Sequence, residues 1–146
     1  MFKRILVPLE HSATDDTIIT YVRGLARAAH ASLLLIHVAD GWAARNLKQL
    51  GLKESEEMKD DRAYLQSVCD GLRQDGYDCE AVLAAGDPAR EIADTAAREH
   101  CDLIAMATHG HRGLNDLVRG TVATELRHIT MIPVLMVRAA KGGAGA

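Results

Sequence analysis

Five short apolar runs alternate with four stretches of helical periodicity, and that order leaves few folds open to the chain. Residues Ile5–Leu9, Ser32–Val38, Cys79–Ala84, Asp102–Ala107 and Pro133–Val137 have the length and apolar density of strands. The second of them lacks polar alternation until His37, as expected of a strand covered on both faces. Between the runs, Ile18, Val22, Leu25, Ala26 and Ala29 fall on one helical face, as do Met58, Leu65, Val68, Cys69 and Leu72. Ile92, Ala93, Ala96 and Ala97 form a third packed face, and Thr121–Ile129 a fourth. Local punctuation agrees: Ser12 is placed to cap the first helix with Asp15 three residues on, Gly76 to end the second, and Asp87-Pro88 to start the third. Strands joined by helices run parallel with right-handed crossovers. The expected fold is therefore an α/β, open doubly wound five-stranded parallel sheet with helices on both faces. In such sheets ligands bind beyond the carboxyl ends of the strands, where the strand order reverses.

With 146 residues, 48% of them apolar, the chain fits one compact core, so residues 1–138 are expected to form a single domain. The glycine- and alanine-rich tail, residues 139–146, is expected to be disordered. A net charge of -3 and the scarcity of aromatic residues argue against a nucleic-acid partner. No apolar run approaches the roughly 20 residues that span a bilayer, and the start lacks a signal-peptide pattern, so a cytoplasmic location with no membrane contact is expected. Cys69, Cys79 and Cys101 lack CxxC spacing and fall in apparent helix or strand, which reads as buried reduced thiols.

The segment Met106–Val122 carries the strongest hint of chemistry. It joins the fourth apolar run to the fourth helical pattern, and Gly110 and Gly120 bracket it as the ends of a loop whose amides can face an anion. Glycine at both positions permits positive φ and close approach of a ligand to the backbone. Arg119 adjoins Gly120 and is the better candidate for a phosphate contact, with Arg112 read as a solvated side chain and His111 as a further candidate. No Gly-Lys-Ser/Thr of a P-loop is present, so binding without efficient hydrolysis is expected, a weak ATPase at most. Residues 39 to 53, with Gly41, Trp42 and Gly51, form the longest irregular connection. The acidic run Glu54, Glu56, Glu57, Asp60 and Asp61 reads as helix-dipole placement plus a solvated face, and His37 as a satisfied core or cavity-edge histidine.

Taken together, Arg4-Ile-Leu-Val-Pro-Leu-Glu10, the His37-Val38 pair, Gly86-Asp-Pro88 and Ile132-Pro-Val-Leu-Met-Val137 make the chain resemble the universal stress protein family over residues 2 to 138. The fold this implies is the Rossmann-like one of adenine nucleotide alpha hydrolase-like proteins, with strand order 3-2-1-4-5. The family's signature is a glycine, two residues, a second glycine, nine residues, a third glycine and Ser or Thr. Gly110, Gly120 and Thr121 match its later members. Ala107 stands in place of the first glycine, and Glu10 in place of the aspartate usual after the first strand of ATP-binding members. The resemblance implies ATP or another adenine nucleotide as ligand, with Mg as an accompanying ion. Pro8 and Glu10 would border adenine and ribose, the backbone at Val38 would read the adenine edge, and Met106 with Ala107 would form the floor. Gly110, Gly120, Thr121 and Val122 would hold the phosphates. It further implies a regulator or adaptor in stress response with an unidentified protein partner, and a homodimer through the C-terminal strand, whose Val134–Val137 run lacks charged gatekeepers.

Three other readings compete. A non-nucleotide-binding dimeric interaction protein of the same family would share the fold. His11, His109 and His111 sit at the ends of neighbouring strands and could converge on a metal. The string His109-Gly110-His111 resembles the HxGH motif of nucleotidylyltransferases, but that motif follows a first strand and has a residue between His and Gly.

Overall fold

In a computed structural model, residues 2–39, 56–109 and 114–139 are described, the side chains of 109 and 114–121 excepted. Five strands, β1 (Arg4–Pro8), β2 (Ser32–Ala39), β3 (Cys79–Ala85), β4 (Leu103–His109) and β5 (Val134–Ala139), alternate with helices α1 (Asp15–Ala29), α2 (Glu56–Gln74), α3 (Pro88–Arg98) and α4 (Leu114–Ile129). All strand pairs are parallel, as the alternation of patterns predicts, and the order is β3-β2-β1-β4-β5, as the resemblance implies.

Each face of the sheet has its own apolar layer. Ile5, Val7, Leu33 and Leu35 pack with Ile18 and Val22 of α1 and Leu65, Cys69 and Leu72 of α2. On the opposite face, Leu6, Leu34, Ile36 and Ile104 pack with Ile92 and Ala96 of α3 and Ala123 and Leu126 of α4. Consecutive strand residues thus feed alternate layers, which is why β2 needs apolar residues at successive positions.

Helix ends follow local chemistry. The Asp87 carboxylate accepts the Arg90 amide at 3.1 Å with Pro88 in the first turn. Replacing it by alanine (Asp87→Ala) is expected to cost about 1 kcal/mol, and chemical denaturation checks this. Helix α1 begins at Asp15 with Thr14 at its cap, not with Ser12 as capping residue. Asp15 instead turns back to serve the preceding loop, as described below. It ends on His30 in the left-handed region at φ 56°.

Two boundaries differ from the sequence reading. Helix α4 starts at Leu114, so Gly120 lies within a helix and does not close a loop. Leu114, Leu117, Val118 and Val122 continue the spacing i, i+3, i+4, i+8, which is enough to carry the helix through a glycine that costs about 1 kcal/mol. Ala139, assigned to the tail, ends β5; residues 140–146 lie outside the described residues. The three cysteines are buried free thiols, and burial pushes the Cys79 and Cys101 thiols up, which leaves them poor nucleophiles.

Candidate functional site

The sheet opens where its order reverses. Strand β1 pairs with β2 in register from Arg4 to Pro8, but with β4 only at Ile5 and Leu6. Beyond that point the chain stays on the β2 side, where the Leu9 amide donates to the Ile36 carbonyl at 2.7 Å. Pro8 brings no amide to any ladder. The carboxyl ends of β1 and β4 therefore part, and a cavity of about 220 Å³ fills the gap.

Its lining combines four sources. Pro8, Leu9 and Glu10 come from the end of β1, Ile36, His37 and Val38 from β2, Met106 and Ala107 from β4, and Pro88, Ile92 and Val122 from the covering helices. Asp15 completes it from α1. The walls are mostly aliphatic, with Glu10, Asp15 and His37 as the polar side chains, a composition suited to a flat organic group held by a few directional contacts. Pro8, Glu10, Val38, Met106, Ala107 and Val122, which the sequence reading grouped by resemblance, thus share one cavity. The backbone of Arg119, Gly120 and Thr121 lies in α4, while their side chains, all of Gly110, and His111, Arg112 and Trp42 fall outside what is described.

The polar residues are anchored individually. Asp15 is 1% exposed, yet its carboxylate is fully engaged. It accepts from the amides of Glu10 and His11 at 2.8 Å each and Ser12 at 3.3 Å, and from the Tyr64 hydroxyl at 2.7 Å. These bonds hold the turn in which His11 adopts φ 62°, a left-handed conformation that disfavours side chains. Burial, reinforced by the Asp15 carboxylate, pushes the Tyr64 phenol above its ordinary value, so it remains a donor. Glu10 accepts from the Thr14 hydroxyl at 3.0 Å and the Ser12 hydroxyl at 3.3 Å, which fixes its carboxylate beside the cavity mouth.

A second cluster lies against the same turn. His11 Nδ1 is 2.8 Å from Asp61 Oδ1, and the His11 ring stacks on Tyr64 with centroids 4.0 Å apart. His37 Nε2 is 3.2 Å from Asp61 Oδ2, and its Nδ1 is 2.8 Å from the Leu9 carbonyl oxygen. Asp61 is buried, contrary to the solvated-face reading of the acidic run. Its position was visible in the spacing: Met58, Asp61, Leu65, Cys69 and Leu72 form the buried stripe of α2. Tyr64, missed altogether, is the neighbour of that stripe. With Nδ1 committed to Asp61, His11 faces a carboxylate, and among the described residues no group of three His, Cys, Asp or Glu side chains is disposed to hold a metal.

Comparison with known proteins follows the same outline. The chain matches the model of the universal stress protein family over residues 1–138. A universal stress protein of a Synechocystis strain is 25% identical over 151 residues, covering 94% of this chain and 98% of that protein. The structure of a universal stress protein from Archaeoglobus fulgidus in complex with dAMP superposes with a TM-score of 0.69 at 17% identity, covering 93% of this chain and 98% of that one. A universal stress protein in complex with cAMP superposes with a TM-score of 0.74 at 17% identity, over 95% and 99% of the two chains.

Proposed function

The chain belongs to the universal stress protein family, and from that premise we propose that the cavity between the ends of β1 and β4 binds an adenine nucleotide. The observation that carries this reading is the parting of β1 and β4 after Leu6, which opens an aliphatic slot with a fixed carboxylate at its mouth. Similarity in fold to proteins solved with dAMP and cAMP supports the same ligand class.

In this reading the base slides between Val38 and the Met106–Ala107 floor, where apolar walls favour a flat aromatic ring. Glu10, already oriented by Thr14 and Ser12, accepts from the ribose hydroxyls. At about 220 Å³ the cavity is smaller than the roughly 300–1,000 Å³ of drug-sized sites, which suits base and sugar and directs the phosphates outward toward the start of α4. There Gly110 and the first amides of α4 would meet the phosphates, with Arg119 and Thr121, further along the helix, as added contacts and Mg as companion. Gly120 contributes as a side-chain-free position on the helix, a different role from the strained loop glycine of the sequence reading. Without a P-loop lysine, the site binds and does not efficiently hydrolyse.

Nucleotide occupancy then serves a regulator or adaptor in stress response, acting as a cytoplasmic homodimer through the edge strand β5. Ligand-dependent contact with a protein partner carries this role. Replacing Glu10 by alanine is expected to weaken ATP binding roughly tenfold or more, the worth of one charge-assisted hydrogen bond to a ribose hydroxyl. Calorimetric titration checks it, and deoxyribose analogues should lose less in the variant than in the wild type. An unchanged affinity would remove Glu10 from the ribose contact.

A further inference from the structure

We propose that His37, Asp61 and His11 form a one-proton latch that ties helix α2 to the wall of the ligand cavity, so that nucleotide affinity depends on whether the latch holds its proton. The inference rests on the nucleotide reading of the cavity for its effect on affinity, and on hydrogen-bond bookkeeping alone for the latch itself.

The Leu9 carbonyl can only accept, so His37 Nδ1, 2.8 Å away, must carry hydrogen. In a neutral ring Nε2 would then present a lone pair to Asp61 Oδ2 at 3.2 Å, and two lone pairs would face each other. A proton between Nε2 and Oδ2 resolves the conflict. The other carboxylate oxygen is served by the His11 Nδ1 hydrogen at 2.8 Å. Asp61 is buried and the His37 side chain is 14% exposed, so water does little to relieve a mismatch.

Among the described residues, the charged and titratable groups around His37 are few. Asp61, with Tyr64 beside it, comes from α2; His11 and Glu10 come from the β1–α1 turn, and Asp15 from α1. On the β3 side its register partner is Leu83, which is apolar. His37 and Leu9 both line the cavity. Loss of the shared proton therefore breaks either the Leu9 contact or the Asp61 contact, and both join the cavity wall to its support. Rising pH should release α2 from the wall and weaken ligand binding.

Asp61→Asn separates the latch from general structural support. Its amide oxygen can accept from His11 Nδ1, and its NH2 can donate to a neutral His37 Nε2, so the latch closes without the extra proton. In ligand-free protein, NMR titration of ring nitrogens should show His37 doubly protonated at the acid end in wild type, with the protection of α2 amides, taken relative to the intrinsic exchange rate at each pH, falling as that proton leaves. In Asp61→Asn, Nε2 should stay unprotonated over the same range and α2 protection should not change with pH. With ATP as probe, wild-type affinity should fall about tenfold relative to the variant between about pH 6 and about pH 9, the loss of one charge-assisted bond. Using one ligand for both proteins cancels titration of its phosphates. Identical His37 titration in the two proteins would overturn the latch, and so, even if the variant fails to fold, would α2 protection in wild type that is indifferent to His37 protonation. Parallel affinity profiles would overturn its coupling to the ligand. Failure of ATP to bind at any pH would remove the nucleotide reading, and the ligand-free titration would still decide the latch.

Discussion

Asp15→Ala should be the most destabilising single change near the site, lowering stability by about 3 kcal/mol or more, since it strips several buried donors of one shared acceptor. The amides of Glu10, His11 and Ser12 and the Tyr64 hydroxyl all end on that carboxylate. Without it the backbone amides that hold His11 at positive φ lose their acceptor, leaving only the side-chain contacts of His11 and Glu10. A fall in thermal midpoint of roughly 10 °C follows for a domain of this size. Asp15→Asn should recover only part of the loss, because its NH2 would meet N–H donors. Thermal melts of the two variants check this, and a wild-type midpoint for Asp15→Ala would mean that the turn is held by other contacts.

Filling the cavity should have the opposite balance, a large effect on binding and a small one on stability. Val38 is half-buried, lines the cavity and sits at the end of β2, so the indole of Val38→Trp can extend into the open space without entering the closed core. Nucleotide affinity should fall roughly a hundredfold or more, about 2.7 kcal/mol. Stability should change by less than about 1 kcal/mol, because the new ring displaces solvent and not packed side chains. Titration with ATP and a thermal melt on the same sample test both halves. Full binding with an unchanged midpoint would place the ligand elsewhere.

The architecture was legible because periodicity reports directly on burial. Short unbroken apolar stretches such as Leu33–Ile36, bounded by helical patterns, fit central strands, and the alternation then calls for parallel crossovers, while the strand order came from the family resemblance. The cavity was legible for a related reason: Pro8, Val38 and Met106 sit at strand carboxyl ends, and topology brings those ends together. What escaped was the wiring behind the cavity. Asp61 looked like one more acid at a helix start although it falls on the Met58–Leu72 stripe, and its partners His11 and His37, 50 and 24 positions away in sequence, could not be read from the chain. Asp15 was taken as part of a helix cap, whereas the fold uses it to organise the turn before the helix. The start of α4 was misplaced because a glycine reads as a boundary by propensity, while the apolar spacing on either side of Gly120 decides the outcome.

Methyl NMR of the ligand-free protein titrated with ATP addresses the central claim most directly. The account predicts saturable shifts of the Val38, Ile92, Met106 and Val122 methyls, with Val22 and Leu72, on the opposite face of the sheet, unmoved. Saturable shifts confined to residues outside the cavity, or no shift at any of the four methyls, would contradict it.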